Sequence, residues 1–90
     1  MTLEELTLRY IGKAERVLSE MRMVQGLREV NREDVDGVIE SAKRYLEDAK
    51  YYRGRGEFET GLASVAYCEG LLDALRLLGL VEFSWAWEER

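Results

Sequence analysis

The sequence predicts an all-α fold: an up-down-up antiparallel three-helix bundle followed by an extended aromatic C-terminal tail. Three observations lead to this prediction. Apolar residues recur in steps of three and four along three segments, which is the spacing of one helix face. The segments are nearly equal in length and joined by short connections, which favours antiparallel neighbours. Four of the eight glycines fall at the breaks between these segments, and the chain has no proline.

The first predicted helix covers residues 3–25. Thr2 can cap its N-terminus, and Glu5 three residues later completes a capping box. Gly26 is expected to end the helix, since glycine readily adopts the left-handed conformation of a C-terminal cap. The apolar seam consists of Leu3, Leu6, Tyr10, Ala14, Val17, Met21 and Val24, with Ile11 and Leu18 beside it.

The second predicted helix covers residues 32–53. Asn31 is the predicted N-cap, and acidic residues follow in the first turn, where the helix dipole favours negative charge. The glycines and arginines of residues 53–56 break the pattern. The seam consists of Val35, Val38, Ala42, Tyr45, Ala49 and Tyr52, flanked by Ile39 and Leu46.

The third predicted helix covers residues 58–78, and Gly79 suits a left-handed C-terminal cap. This helix is apolar nearly all round, so we expect the other helices and the tail, or a second chain, to cover most of it. Gly70 in mid-helix costs about 1 kcal/mol relative to alanine, which favours a packing role. We therefore expect close approach to Ala42 and Ala49 along a stripe of small residues, Ala63, Ala66, Gly70 and Ala74.

The predicted domain organisation is a bundle over residues 1–79 and a tail over residues 80–90. In the tail, Val81, Phe83, Trp85 and Trp87 occupy alternate positions, so an extended chain places them on one side. An all-α domain offers no sheet to join, so we do not expect a true β-strand unless two tails pair. Two interpretations remain open: the tail packs on its own bundle, or it packs on a second subunit.

Composition limits the classes of function. The 90 residues carry a net charge of −5, which argues against general binding of nucleic acids. One cysteine allows no intrachain disulfide. Abundant glutamate and arginine with few amides is a composition typical of thermophiles. No segment reads as a membrane span or a signal peptide, so we expect a cytoplasmic protein without membrane association.

Catalytic chemistry has little support in the sequence. The chain contains no histidine, which removes Ser-His and Cys-His nucleophile pairs and the histidine ligands of di-iron helical bundles. No glycine-rich loop matches a phosphate cradle. The lone Cys68 lies in an apolar run and reads as a core residue. We therefore expect neither an enzyme nor a bound cofactor or metal.

Three polar residues on the third helix, Glu69, Asp73 and Arg76, have three interpretations. They can form a thin solvated stripe on a mostly buried helix. Alternatively, Asp73 is partly buried and bonds Tyr45, Tyr52 or an arginine across the bundle, which would fix the helix register. The third interpretation is a carboxylate metal site made with Asp48, although hard metals usually need more oxygen ligands than this.

The turn between the second and third helices places Arg53 and Arg55 beside aromatic residues. Charge next to stacking surfaces is the local chemistry of a small RNA or phosphate contact. The alternative is a loop in which Tyr52 and Phe58 enter the core while the arginines serve the C-terminal dipole of the second helix. Two arginines in an acidic domain favour the second interpretation.

Residues 45–80 resemble the archaeal "domain of unknown function 357" family. The family pattern has a helix with a tyrosine, Asp-Ala and an aromatic, then a glycine turn and a helix of the form Ala…Tyr…Gly-Leu-Leu-Asp-Ala…Leu-Gly-Leu. The resemblance implies a three-helix bundle of archaeal origin and no assigned activity. The matching positions are Tyr45, Asp48, Ala49, Tyr52, Gly56, Ala63, Tyr67, Gly70, Leu72, Asp73, Ala74, Gly79 and Leu80.

The function predicted from these observations is a non-catalytic protein-interaction module that forms a homodimer or binds another protein. A small core, an unusually apolar third helix and the aromatic tail motivate it. The alternative is an RNA accessory protein that uses Arg53 and Arg55. The candidate interaction residues outside that turn are Tyr67, Asp73, Phe83, Trp85 and Trp87.

Overall fold

A computed structural model describes residues 1–23 and 30–85 of the chain. Three α-helices form the bundle: α1 (Leu3–Glu20), α2 (Arg32–Gly54) and α3 (Phe58–Leu77). Two short strands, β1 (Arg22–Met23) and β2 (Val81–Glu82), pair antiparallel, with Arg22 opposite Glu82 and Met23 opposite Val81. The predicted three-helix bundle is confirmed.

The capping residues at the helix ends make the contacts, or adopt the backbone conformation, that the sequence predicts. The Thr2 hydroxyl oxygen accepts from the Glu5 backbone N–H at 3.0 Å, which completes half of the capping box. Asn31 caps α2 by accepting from the Glu33 backbone N–H at 2.8 Å. Gly79 has φ +76° after α3, the left-handed conformation that the cap requires.

At the ends of α2 and α3, the residue after the capping glycine donates a backbone hydrogen bond back to the last turn of the helix. After α3, the Leu80 N–H donates to the Leu75 carbonyl at 3.0 Å, and both side chains are buried. After α2, the N–H of Glu57 donates to the Tyr52 carbonyl at 2.9 Å, next to Gly56 with φ +78°. This is the Schellman arrangement, and it turns the chain sharply at the end of each helix.

The predicted end of the first helix is wrong. α1 stops at Glu20, and Met21 is already extended with ψ 137°, so residues 21–23 are not helical. The backbone groups of Arg22 and Met23 bond to β2 instead, which a helix would not permit. Gly26 and Val24 lie outside the described residues. The expectation that no strand would form is also wrong, because the tail finds a strand partner within its own chain.

The core joins all three helices and the tail in two clusters. The larger one contains Ile11, Ala14, Val17, Ala42, Leu46, Ala49, Val65, Cys68, Leu72 and Trp85. The smaller one contains Val35, Ile39, Leu75, Leu80 and Val81. The predicted seams were displaced by part of a turn: Ile39 and Leu46 are buried in α2, whereas Val38 and Tyr45 lie at the margin.

Candidate interaction surface

The described part of the tail packs on its own bundle. Trp85 is 3% exposed within the larger core cluster, and Val81 is buried in the smaller one. Phe83 is half-buried and meets the Trp85 ring edge-on, with the centroids 5.0 Å apart. The alternation of buried and exposed positions follows the predicted period of two. Trp87 lies outside the described residues.

Polar contacts fix the tail against α1 and α3. The Trp85 indole Nε1 donates to Asp73 Oδ1 at 3.1 Å, and Arg76 Nε donates to the same oxygen at 3.2 Å. From α1, Arg16 Nη2 donates to the Ser84 carbonyl at 3.0 Å. Asp73 therefore fixes the tail, through an indole and an arginine of its own helix rather than through a tyrosine across the bundle.

Glu69 lies one turn before Asp73, and its side chain is only 15% exposed. Burial raises the pKa of Glu69, Lys13 opposes that shift from 3.9 Å away, and Asp73 adds to it. The solvated-stripe interpretation therefore does not describe Glu69. The described residues contain no group of three or more His, Cys, Asp or Glu side chains that could hold a metal ion, and the contacts that the structure shows for Asp73 are with Trp85 and Arg76.

The arginine turn is occupied by contacts within the chain. Arg55 Nη1 donates to the Tyr51 hydroxyl at 2.8 Å, and its Nε lies 3.1 Å from a Glu57 carboxylate oxygen. The Arg53 Nε atom is buried without a hydrogen-bond partner among the described residues. Because Glu57 balances one charge and burial hides part of the other, the turn presents less free positive charge than its sequence implies.

The predicted packing of the small-residue stripe is wrong. Ala63, Ala66, Gly70 and Ala74 are all exposed, on the side of α3 that points away from the bundle. A Cβ atom added at Gly70 would meet nothing within 4 Å. Because α3 is apolar on both sides, its periodicity does not reveal which side faces the core.

The close approach between helices occurs at Gly61 instead, one turn into α3. A Cβ atom there would lie 3.2 Å from the Ala49 carbonyl oxygen of α2 and 3.4 Å from Thr7 Cγ2 of α1. Thr7 is fully buried, and its hydroxyl lies within hydrogen-bond distance of the Leu3 and Phe58 carbonyls. Sequence reasoning missed both residues, although a glycine in the first turns of a predicted helix offered a signal for close packing.

Large apolar residues lie beside and beyond the small-residue stripe on the outward side of α3. Tyr67, Leu77 and Leu78 are 56%, 76% and 71% exposed. Tyr67 also stacks on Tyr45 of α2, with ring centroids 4.4 Å apart. We call this surface the outer face of α3: Ala63, Ala66, Tyr67, Gly70, Ala74, Leu77 and Leu78. It contains no charged residue, since Glu59 lies just before it and the other charged residues of α3 lie toward α1 and the tail.

Cys68 lies on the opposite side of α3 from this face. It is fully buried, and burial raises the pKa of its thiol to about 11. A thiol with that pKa is almost wholly protonated near neutral pH, so it is a poor nucleophile and metal ligand. Its place in the larger core cluster agrees with the structural role expected of it.

These features define a small all-α protein: a three-helix bundle, closed at one side by its tail and apolar on the outer face of α3. No helix in the described residues is long and apolar enough to cross a membrane. The chain belongs to the DUF357 family, described as proteins of unknown function, whose sequence profile matches residues 9–81. No curated protein and no solved structure matches the chain.

Proposed function

We propose that this protein is a non-catalytic module that self-associates through the outer face of α3. The observation that supports the proposal is the exposure of Tyr67, Leu77 and Leu78 along one helix face. Apolar side chains exposed together along one helix face can contribute to an interaction site, and this alignment is what supports the proposal. The lack of histidine and the buried, protonated Cys68 support the non-catalytic part.

A second copy of the chain suits this face better than a polyanion or a charged peptide. The outer face has no charged side chain to pair with an ionic ligand, whereas two uncharged faces can meet without burying unpaired charge. The charged residues that give the net charge of −5 lie outside the outer face. Repulsion between two copies therefore acts only at longer range, where salt screens it. The outer face of one chain can therefore pack against the outer face of a second copy.

The size of the outer face of α3 determines how strong a dimer we expect. From Ala63 to Leu78 it is roughly 22 Å long, and a helix is roughly 10 Å wide. A strip of that size is smaller than the roughly 800 Å² per partner that standard stable interfaces bury. We therefore expect a dimer that dissociates on dilution through the micromolar range.

The test replaces Ala66, in the middle of the outer face, with arginine. Ala66→Arg would bury a charge in the dimer, so we expect it to abolish association while leaving the exposed monomer helix intact. Sedimentation velocity over a series of concentrations measures the mass, which should rise above the 10.5 kDa of one chain only for the native protein.

Leu8→Arg is the matched control. Leu8 is 48% exposed on α1, so its substitution introduces the same charge on another helix and should leave the association unchanged. If the native chain stays at the monomer mass up to near-millimolar concentration, the proposal is wrong. It is equally wrong if Ala66→Arg associates as tightly as the native chain.

The RNA alternative has no comparable support. Arg55 is engaged by Tyr51 and Glu57, and Arg53 is half-buried. Nonspecific nucleic-acid binding needs several accessible cations along a phosphate backbone, because each neutralised phosphate contributes through counterion release. The turn has too few accessible cations for binding of that kind.

A further inference from the structure

A small surface cavity lies where the described part of the tail ends. It has a volume of about 190 Å³ and is lined by Glu69, Gly70 and Asp73 of α3 and by Trp85 of the tail. A cavity of about 150 Å³ is large enough to hold a benzene ring. This cavity therefore has room for an aromatic ring, and the chain that follows Trp85 begins at its wall.

The described tail runs back along α3 in the direction opposite to the helix. The guanidinium carbon of Arg76 lies 5.6 Å from the centre of the Phe83 ring, and two residues later Trp85 Nε1 lies 3.1 Å from Asp73 Oδ1. Two residues of extended chain advance about 6.6 Å, slightly more than the rise of about 5.4 Å in one helical turn. Each two-residue step along the tail therefore moves its contact about one turn toward the start of α3.

The next step in this register reaches Glu69 and Gly70, which lie four and three residues before Asp73. Trp87 is the residue that takes this step, since it follows Trp85 by two positions. Buried and exposed positions alternate along the described tail, and the same period places Trp87 on the side that Trp85 occupies. Both the distance and the side thus lead to the cavity.

We propose that Trp87 fills this cavity, with its ring on Gly70 and its indole N–H toward the Glu69 carboxylate. The occupant is then the C-terminal segment of the same chain, residues 86–90, and the tail covers one further turn of α3. This inference does not rest on the proposed self-association, because every group that it uses belongs to one chain.

The environment of Glu69 supports this placement. Asp73, one turn later, accepts a hydrogen bond from the Trp85 indole. The Glu69 side chain is only 15% exposed, and its ion pair within the described residues is with Lys13 Nζ at 3.9 Å, beyond the usual length of an N–H···O hydrogen bond. A mostly buried carboxylate is expected to have a hydrogen-bond donor. An indole N–H arriving from the tail would supply one, as it does at Asp73.

Gly70 supports the same placement independently. A glycine in mid-helix destabilises the helix relative to alanine. Among the described residues, a Cβ atom added at Gly70 would meet nothing within 4 Å, so their packing gives no reason for a glycine there. Without a side chain, however, the helix backbone is open to close approach by a ring. Packing of Trp87 on this position accounts for the missing side chain.

Fluorescence of a single-tryptophan variant tests the position of Trp87. The chain has two tryptophans, so Trp85→Phe leaves Trp87 as the only one. In dilute solution we expect acrylamide to quench its fluorescence several-fold less efficiently in the folded variant than in the same variant unfolded in urea. Equal quenching in the two states would overturn the proposal. Protection that disappears on dilution would also overturn it, because Trp87 would then pack on a second copy.

Gly70→Leu, added to Trp85→Phe, tests whether the cavity is the place that protects Trp87. The leucine side chain would occupy the cavity, so the quenching of Trp87 should rise to nearly that of the unfolded chain. Gly12→Leu is the matched control on α1, since a Cβ atom at Gly12 also meets nothing within 4 Å, and it should leave Trp87 protected. Undiminished protection in the Gly70→Leu variant would place Trp87 elsewhere and overturn the proposal.

A double-mutant cycle gives a second measurement that retains Trp85. Trp87→Ala alone should lower the melting temperature by about 4 °C or more, because it empties the cavity. The same substitution in the Gly70→Leu background should have little effect, because Trp87 is already displaced there. Equal losses in the two backgrounds, or no loss in either, would contradict the contact between Trp87 and Gly70.

Discussion

Trp85→Ala should lower the free energy of unfolding by about 3–5 kcal/mol, the range for removing a buried aromatic side chain. Trp85 is 3% exposed and belongs to the core cluster that joins all three helices. Its loss would open a cavity and also release the tail from Asp73. A domain of this size is stabilised by only about 5–15 kcal/mol, so urea denaturation followed by circular dichroism should show a large shift.

Trp85→Phe separates packing from hydrogen bonding. Phenylalanine keeps an aromatic ring in the cluster but cannot donate to Asp73, whose carboxylate retains Arg76 and contact with solvent. We expect a loss of about 1–2 kcal/mol, well below that of Trp85→Ala. If Trp85→Ala lowered stability by less than about 1 kcal/mol, the tail would not be part of the core.

Gly61→Val should destabilise the domain by about 2 kcal/mol or more, because overpacking a tight contact forces side chains or backbone to move. The added Cβ atom would lie 3.2 Å from the Ala49 carbonyl oxygen, which belongs to the backbone of α2 and cannot swing away. The branched side chain would need still more room. Denaturant unfolding of the purified variant measures the effect.

Gly12→Val is the matched control, since a Cβ atom added at Gly12 meets nothing within 4 Å. Valine is somewhat better than glycine in a helix, so we expect the stability to stay within about 0.5 kcal/mol of the native chain. Equal effects of the two substitutions would mean that the close approach at Gly61 does not limit the packing of α2 on α3.

The sequence was sufficient to predict the helices whose ends are set locally. Thr2 and Asn31 cap α1 and α2, and Gly79 takes the positive φ expected after α3. These signals depend on hydrogen bonds between residues close together in the chain, so they can be identified without knowledge of the tertiary structure.

The end of α1 could not be predicted in the same way. Nothing local interrupts the apolar spacing after Glu20, so the periodicity carries the predicted helix on toward Gly26. The competing interaction is the pairing of Arg22 and Met23 with the tail, some sixty residues later. Long-range pairing of this kind overrides helix propensity and leaves no trace in the spacing of apolar residues.

The role of the small-residue stripe was predicted wrongly for a related reason. Both sides of α3 are apolar, and Gly70 indicated the side with small residues as the one against α2. The structure buries the other side, with Val65 and Leu72, and makes its closest approach at Gly61. The candidate interaction surface thus combines Tyr67, which the sequence indicated for interaction, with the small residues, which it indicated for packing. Leu77 and Leu78 were not singled out.

The most direct test of the account is the effect of dilution on the backbone amide resonances of the native chain. Two-dimensional NMR of ¹⁵N-labelled protein should show concentration-dependent shifts at Ala63, Ala66, Gly70 and Ala74, while Gly12 and Gly37 on α1 and α2 stay constant. Such a pattern would place the contact on the outer face of α3. Spectra that do not change with concentration, or changes confined to another surface, would contradict the account.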